Sequence, residues 1–293
     1  MIDVASPAMV RKLLTRHNLA SRKSLGQNFL VDANIIRKII AAADLSKDDL
    51  VVEIGPGLGA MTVPLAQAAD QVVAVEIDRG LAAVLSQVLD GAGRVDIIVA
   101  DALKTDFDAL VLEKSDGRFG FGRQPYKLVA NLPYYITSPL LVRLLGEKYN
   151  ISELVVMVQQ EVASRLTATP GTKDFGILSV AVQYYSEVSL LFRLPGSVFY
   201  PSPAVESGVV RLKVRPPLVK PLDEDAFFKV VRAAFAKRRK TLLNALTSSG
   251  FEIDKSSWQL ILKHAAIDPN RRGETLSLAE FAQLTDCYLE LRS

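Results

Sequence analysis

Two short segments of this 293-residue chain carry residue types that could do chemistry together. The first is Glu53-Ile54-Gly55-Pro56-Gly57-Leu58-Gly59, an E-x-G-x-G-x-G run at the end of an apolar stretch. Glycines there let the backbone turn sharply and approach a ligand closely. The spacing is not the G-x-G-x-x-G of a pyrophosphate-binding turn, and Pro56 removes one amide donor. The loop therefore suits a cofactor with no phosphate to hold. Glu76 ends a second apolar run, where a carboxylate can accept from ribose hydroxyls. Asp101 ends a third; it can receive an adenine amino group while Ala102 packs on the ring. Each acid alone serves equally well as a helix cap. Three acids at the ends of three consecutive strands, facing one crevice, point instead to a nucleoside-containing cofactor. S-adenosylmethionine, leaving as S-adenosylhomocysteine, is the expected one.

The second segment, Asn131-Leu132-Pro133-Tyr134, ends the next apolar run on the same rim. The lone pair of an adenine N6 amine is delocalised into its ring, which makes it a poor nucleophile towards a sulfonium methyl. It needs no strong base, only two acceptors that hold its N–H bonds and favour a pyramidal nitrogen. The Asn131 side-chain oxygen and the Leu132 carbonyl are such acceptors, aimed by the stiffness of Pro133. Tyr134 offers a π-face to a base taken out of its stack. The expected reaction is in-line methyl transfer governed by positioning. Downstream, Phe199 in Val198-Phe199-Tyr200-Pro201-Ser202-Pro203 is a candidate to cover the other face of the base. A core phenylalanine in a proline-stiffened loop is the plainer reading of that segment taken alone.

Positioning these segments requires an alternation of strands and helices. Strands are predicted at 50–54, 71–76, 95–100, 126–130 and 154–158, with helices at 61–68, 79–89 and 139–145. Residues 32–43 read as a helix capped by Asp32, with Ile35, Ile36, Ile39 and Ile40 on one face. The alternation predicts an α/β, Rossmann-like fold: a mostly parallel sheet with helices on both faces. The long interval after the third strand, containing Gly117, Gly120 and Gly122, reads as a surface loop. Pro216-Pro217 and Pro221 mark a linker, and 224–247, 256–264 and 277–291 read as helices. The expected division is thus a catalytic domain at 1–217, starting with a basic helix at 7–19, and a helical domain at 218–293.

Composition narrows the chemistry. One cysteine, Cys287, leaves no disulfide framework or cysteine-built zinc site, and His17 and His264 stand apart from any nucleophile, so no metal centre or triad is expected. No apolar run is long enough to span a bilayer and no signal sequence is evident, so a cytoplasmic protein is expected. Net charge is only +3, yet basic residues cluster. Arg11, Lys12, Arg16, Arg22 and Lys23 form one group; Lys229, Arg232, Lys237, Arg238, Arg239 and Lys240 form another. A solvated helix face is the bland reading of each; beside the motifs above, a phosphate-backbone footprint is the better one.

The ordered set of motifs resembles the KsgA family of ribosomal RNA adenine dimethyltransferases. It comprises Lys23-Ser24-Leu25-Gly26-Gln27-Asn28-Phe29-Leu30, Glu53 to Gly59, Asn131 to Tyr134, Phe199 to Pro203, Ala236-Lys237-Arg238-Arg239-Lys240-Thr241-Leu242 and Arg272-Gly273-Glu274-Thr275-Leu276-Ser277. The resemblance implies a class I S-adenosylmethionine-dependent methyltransferase domain with a small helical domain that binds rRNA. It implies that Gln27, Asn28 and Leu30 close over the cofactor, while Gly55, Glu76, Asp101 and Asn131 contact it; Gly57 and Gly59 are expected in the same cofactor-binding set. It further implies four methyl transfers to two adjacent adenosines near the 3′ end of 16S rRNA in an immature 30S subunit. Arg22, Lys23, Lys237, Arg238, Arg239 and Lys240 are the residues expected on RNA. DNA is not an expected partner, because DNA adenine enzymes usually place proline where Leu132 stands, and a monomer is expected. The nearest alternative is an Erm-type enzyme acting on an adenosine of 23S rRNA; a ribosome-assembly binding factor with secondary methylation is the alternative of another class.

Overall fold

A computed structural model describes residues 4–19, 27–237 and 239–291. By its internal contacts the chain divides into two compact units, Met1–Ala163 with Glu187–Val214, and Ser164–Ser186 with Arg215–Ser293.

The first unit starts with α1 (Pro7–Arg16), β1 (Phe29–Leu30) and α2 (Ala33–Ala42). Then come β2 (Leu50–Ile54), α3 (Thr62–Ala68), β3 (Gln71–Glu76), α4 (Arg79–Val88), β4 (Val95–Val99) and α5 (Phe107–Lys114). They are followed by β5 (Tyr126–Asn131), α6 (Thr137–Gly146), β6 (Ile151–Gln159) and α7 (Gln160–Leu166). After α8 (Ile177–Tyr185), β7 (Ser186–Leu194), β8 (Phe199–Tyr200) and β9 (Ser207–Val214) complete the strands. Seven strands form one sheet in the order β4-β3-β2-β5-β6-β9-β7, and β1 pairs with β8 in a separate ladder. The pairings from β4 through β6 are parallel, and β9 runs antiparallel to β6.

Local chemistry explains these elements. Every residue of β2 and β3 is buried, so both read as unbroken apolar runs, as expected of parallel strands covered on two faces. Asp32 caps α2 as predicted: its Oδ1 accepts from the N–H groups of Asn34 and Ile35 at 2.8 and 3.1 Å. Ile36 and Ile39 enter the core, with Ile35 and Ile40 packed at its margin. The interval after β4 is not a plain loop. It contains α5, capped by Asp106, which drives Phe107 and Val111 fully into the core.

The second unit is held by rings. Tyr184 on α8 lies 5.0 Å from Phe227, and Tyr185 stacks on Phe228 at 5.9 Å, both partners on α9 (Glu224–Phe235). Those contacts group residues 164–186 with the C-terminal helices, upstream of the proline linker where the sequence suggests its division. α10 (Leu242–Thr247), α11 (Lys255–His264) and α12 (Leu278–Glu290) complete the helical group, which has no strand after Val214 among the described residues. Trp258 is fully buried and stacks on Tyr288 at 5.4 Å. Ser277 and Glu280 form a reciprocal capping box at the start of α12, and Arg271 pairs with Glu280.

Candidate active site

The strand order fixes where a ligand can sit. The chain builds outward from β2 to β3 and β4, then returns to place β5 on the other side of β2. Ligands bind at such a switch point, outside the carboxyl ends of the strands. The glycine loop follows β2 and the Asn131 turn follows β5, so the two motifs face each other across that crevice. A Cβ added at Gly55 would lie 3.7 Å from the Pro133 ring. Gln27, Asn28 and Leu30 join Gly55, Gly57, Glu53 and Glu76 in lining the pocket, together with all four residues from Asn131 to Tyr134.

The glycine loop and β3 are locked together through Glu76. The Gly57 N–H donates to Glu76 Oε2 at 3.2 Å, and the Asp78 N–H donates to Oε1 at 2.9 Å. Gly57 has a φ of +57°, and a Cβ there would sit 3.1 Å from the Phe29 ring, so both backbone and packing favour glycine. Burial pushes the Glu76 carboxyl up, and these N–H groups oppose the rise. The carboxylate lines the pocket and keeps acceptor capacity that a ligand's donors could use. Glu53, 1 % exposed, also lines the pocket, and its Oε2 has no hydrogen-bond partner. Burial pushes this carboxyl up to about 8; the Thr62 side chain opposes the rise and the Glu76 charge adds to it. Protonated at neutral pH, this buried carboxyl with an oxygen left without a partner, beside a glycine cradle, fits a ligand that brings hydrogen-bonding groups.

The other expected cofactor residues divide. Asp101 and Ala102 stand at the end of β4 on the same rim but outside the pocket lining. Asp101 Oδ1 accepts from the Leu103 N–H at 2.9 Å and so shapes its own turn. Gly59 has a packing role: its φ is +90° and a Cβ would lie 2.7 Å from the Leu85 side chain. Tyr135 was not singled out by the sequence, yet it lines the pocket and is 49 % exposed. Burial raises its hydroxyl pKa, and the charges of Asp101 and Glu76 raise it further. Its only sequence signal was adjacency to Tyr134.

On the Asn131–Tyr134 turn, Asn131 Nδ2 donates to the Asn28 carbonyl at 2.9 Å. The Leu132 N–H donates to Met157 O at 3.1 Å, and the Pro133 carbonyl accepts from Thr137 Oγ1 at 3.0 Å. Tyr134 is half-buried, with its hydroxyl 2.9 Å from Ser207 Oγ. Phe199 is not among the lining residues. It is 3 % exposed, sits in the core cluster, and pairs with Leu30 in the β1–β8 ladder. That ladder gives Gln27-Asn28-Phe29-Leu30 a physical place: it straps the segment against the pocket, and α1 adds Val10 to the wall. Among the basic residues, Lys237, Arg239 and Lys240 are exposed on the turn after α9. Arg22, Lys23 and Arg238 lie outside the described residues.

A mostly parallel sheet with a glycine-lined crevice at its switch point, and an Asn-Leu-Pro-Tyr turn beside it, defines a Rossmann-like methyltransferase. Comparison with known proteins narrows the class. The chain belongs to the ribosomal RNA adenine dimethylase family, whose model matches residues 18–287, and is an rRNA methyltransferase. It is 62% identical over 291 residues to ribosomal RNA small subunit methyltransferase A of Pelotomaculum thermopropionicum, covering 99% of each chain. To the protein of the same name in Moorella thermoacetica it is 54% identical, covering 97% of this chain and 98% of that one. A solved dimethyladenosine transferase from Plasmodium falciparum superposes with a TM-score of 0.72 at 25% identity, covering 87% of this chain and 95% of that one. The 23S rRNA methyltransferase ErmE superposes at 0.65, also at 25% identity, covering 89% and 99%. Among the described residues no helix is long and apolar enough to cross a membrane.

Proposed function

We propose that the chain transfers four methyl groups from S-adenosylmethionine to the N6 amines of two adjacent adenosines in the 3′-terminal hairpin of 16S rRNA. The substrate is an immature 30S subunit in the cytoplasm, and the enzyme acts as a monomer. The observation that carries the small-subunit reading is the 62% identity, over nearly the whole of both chains, to a small subunit methyltransferase A. The likeness to ErmE, at 25% identity, supports the shared fold and the weaker, large-subunit alternative.

When bound, the cofactor supplies an electrophilic methyl on a sulfonium. The chain supplies placement. Glu76 receives the ribose hydroxyls, and the loop at Gly55 and Gly57 lets the backbone come close. Asp101 and Ala102 seat the adenine. In the first transfer Asn131 Oδ1 and the Leu132 carbonyl accept the two N–H bonds of the target amine, and in the second one of them accepts the N–H that remains, which turns the lone pair towards the methyl; Tyr134 supports the base from one face. Stacking by Phe199 on the other face requires its ring to leave the core in which it now sits. Lys237, Arg238, Arg239 and Lys240, with Arg22 and Lys23, hold phosphates and fix register without reading sequence.

The test is incubation with labelled S-adenosylmethionine and unmethylated small or large subunits, followed by nucleoside mass spectrometry. Dimethyladenosine from the small subunit alone is the expected result. Label in the large subunit would move the substrate to 23S rRNA.

A further inference from the structure

Arg143 lies on α6, two turns beyond the helix start that leads directly out of the Asn131–Tyr134 turn, with a side chain only 19% exposed. Its guanidinium is used on every side. Nη1 donates to the carbonyls of Ala102 and Thr105 at 2.9 and 3.0 Å, Nε donates to Glu147 Oε1 at 2.9 Å, and Nη2 donates to the Tyr149 hydroxyl at 2.8 Å. Tyr149 in turn donates to Glu147 Oε2 at 2.5 Å, and its ring meets Phe107 edge-on at 5.6 Å. The turn held in this way is compact. The Asp101 carbonyl accepts from the N–H groups of Lys104 and Thr105 at 2.9 and 3.1 Å, which leaves the Ala102 and Thr105 carbonyls pointing out of it towards the fork. A planar guanidinium can bridge two carbonyls while braced by a carboxylate and a phenol; an ammonium cannot reach that many fixed acceptors at once.

We propose that Arg143 is a positioning residue for methyl transfer: it holds the Asp101-Ala102 turn, and with it the seat of the cofactor's adenine, in register with the Asn131–Tyr134 turn at the other end of its own helix. The proposal rests on reading Asp101 and Ala102 as the adenine seat. The Tyr149 hydroxyl also lies 3.2 Å from the Thr105 carbonyl, so it braces the same turn, while Arg143 is the side chain that reaches both the Ala102 and Thr105 carbonyls from α6.

The experiment uses the full-length protein and calorimetric binding of S-adenosylhomocysteine and of its inosine counterpart, S-inosylhomocysteine. Arg143→Met, Arg143→Lys, Tyr149→Phe and Asp101→Ala are compared with the parent. Arg143→Met is expected to weaken S-adenosylhomocysteine on the order of tenfold, the scale of one charged hydrogen bond. It should also bring the preference for adenine over hypoxanthine close to unity. Arg143→Lys, which keeps charge but not the fork, should recover little, and Tyr149→Phe should give a smaller change in the same direction. Should Arg143→Met not fold, the lysine and Tyr149 variants carry the test. Full recovery by lysine, or unchanged affinity and preference in all three while Asp101→Ala is impaired, would overturn the role of Arg143 alone. Unchanged base preference in Asp101→Ala would overturn the adenine seat, and the proposal with it.

Discussion

Asn131 and Asn28 are joined by one hydrogen bond, from the Asn131 side-chain nitrogen to the Asn28 carbonyl at 2.9 Å. A carbonyl can only accept, so the nitrogen of the amide must face Asn28 and the oxygen must face away from it. The oxygen proposed to accept from the target amine is thus aimed by the backbone of the segment next to β1, not by β5 on which Asn131 stands. Asn131→Asp sets two acceptors against each other, and Asn131→Ala removes the acceptor altogether. Both are expected to lower single-turnover methyl transfer by at least about a hundredfold, the scale of removing one preorganised polar group from a transition state. Retained subunit binding by the alanine variant would show that docking is separable from catalysis; a rate within a few-fold of the parent would remove Asn131 from the catalytic machinery.

Tyr134 separates ring from hydroxyl. Its hydroxyl meets Ser207, so Tyr134→Phe gives up one hydrogen bond and keeps the π-face. Turnover of that variant should stay within about tenfold of the parent, since such a bond is worth about 0.5–1.5 kcal/mol. Tyr134→Ala removes the stacking surface, worth about 1–3 kcal/mol per base, and should raise KM for the subunit or lower kcat accordingly. Equal defects in the two variants would mean that the ring does not carry a base.

Glu53 makes stability depend on pH. Its folded carboxyl titrates at about 8 against an ordinary 4.5, so between those values the folded chain holds a proton that the unfolded chain has released. Its contribution to stability is fully present below the unfolded value, falls as pH rises through the window, and is flat above about 8. Glu53→Gln carries no titrating proton there. The variant's stability relative to the parent should therefore grow steadily from pH 4.5 to 8, as read by denaturant midpoints across that range. A difference that stays constant with pH would show that Glu53 is ionised in the folded chain.

The motifs were legible because they are local. Gly57 and Glu76 sit at the ends of strands whose two buried faces leave continuous apolar runs, and both can be placed from the sequence without knowing the fold. The strands β7 and β9 were not. β7 has a mixed, half-exposed pattern on the edge of the sheet, and β9 carries Gly208, Arg211 and Lys213 in an arrangement that makes sense only beside β6. α5 was hidden because its apolar residues barely segregate to one side, although Asp106 caps it well. The attachment of Arg143 to the Ala102 turn had no signature at all, since its acceptors there are main-chain carbonyls present in every sequence. Phe199 shows the limit of the motif itself: its type and neighbours suit a base, and its burial suits a core.

Gly59→Ala tests the packing role of the third glycine. The new Cβ would require a φ of +90° and would meet Leu85 at 2.7 Å. Backbone strain alone costs about 1–3 kcal/mol, and overpacking adds to it. The expected outcome is a lower melting temperature for the first unit, with cofactor affinity little changed once the protein is folded. An unaltered melting temperature would mean that α4 yields without resistance.

The exposed basic turn after α9 is testable by salt. Replacing Lys237, Arg239 and Lys240 with alanine should weaken subunit binding and flatten the dependence of log affinity on log salt by about 0.7–0.9 for each phosphate no longer neutralised. kcat at saturating subunit should hold. A slope identical to the parent would place the phosphate-binding residues elsewhere.

The place of β9 in the sheet has a consequence for how the protein comes into being. Among the described residues it is the last strand in the chain, yet it does not join at the edge; it lies between β6 and β7, with Met157 opposite Val209 and Gln159 opposite Ser207. A polypeptide emerging from the ribosome therefore presents β6 with one bare edge, and β7 without its neighbour, until Ser207–Val214 has been synthesised. Bare strand edges invite pairing with other chains. Nor can Tyr134 find its hydroxyl partner before then, because that partner is Ser207, the first residue of the missing strand. Translation must pass Val214 before the pocket wall around Tyr134 can set, so a nascent chain stalled short of that point is both adhesive and catalytically unfinished.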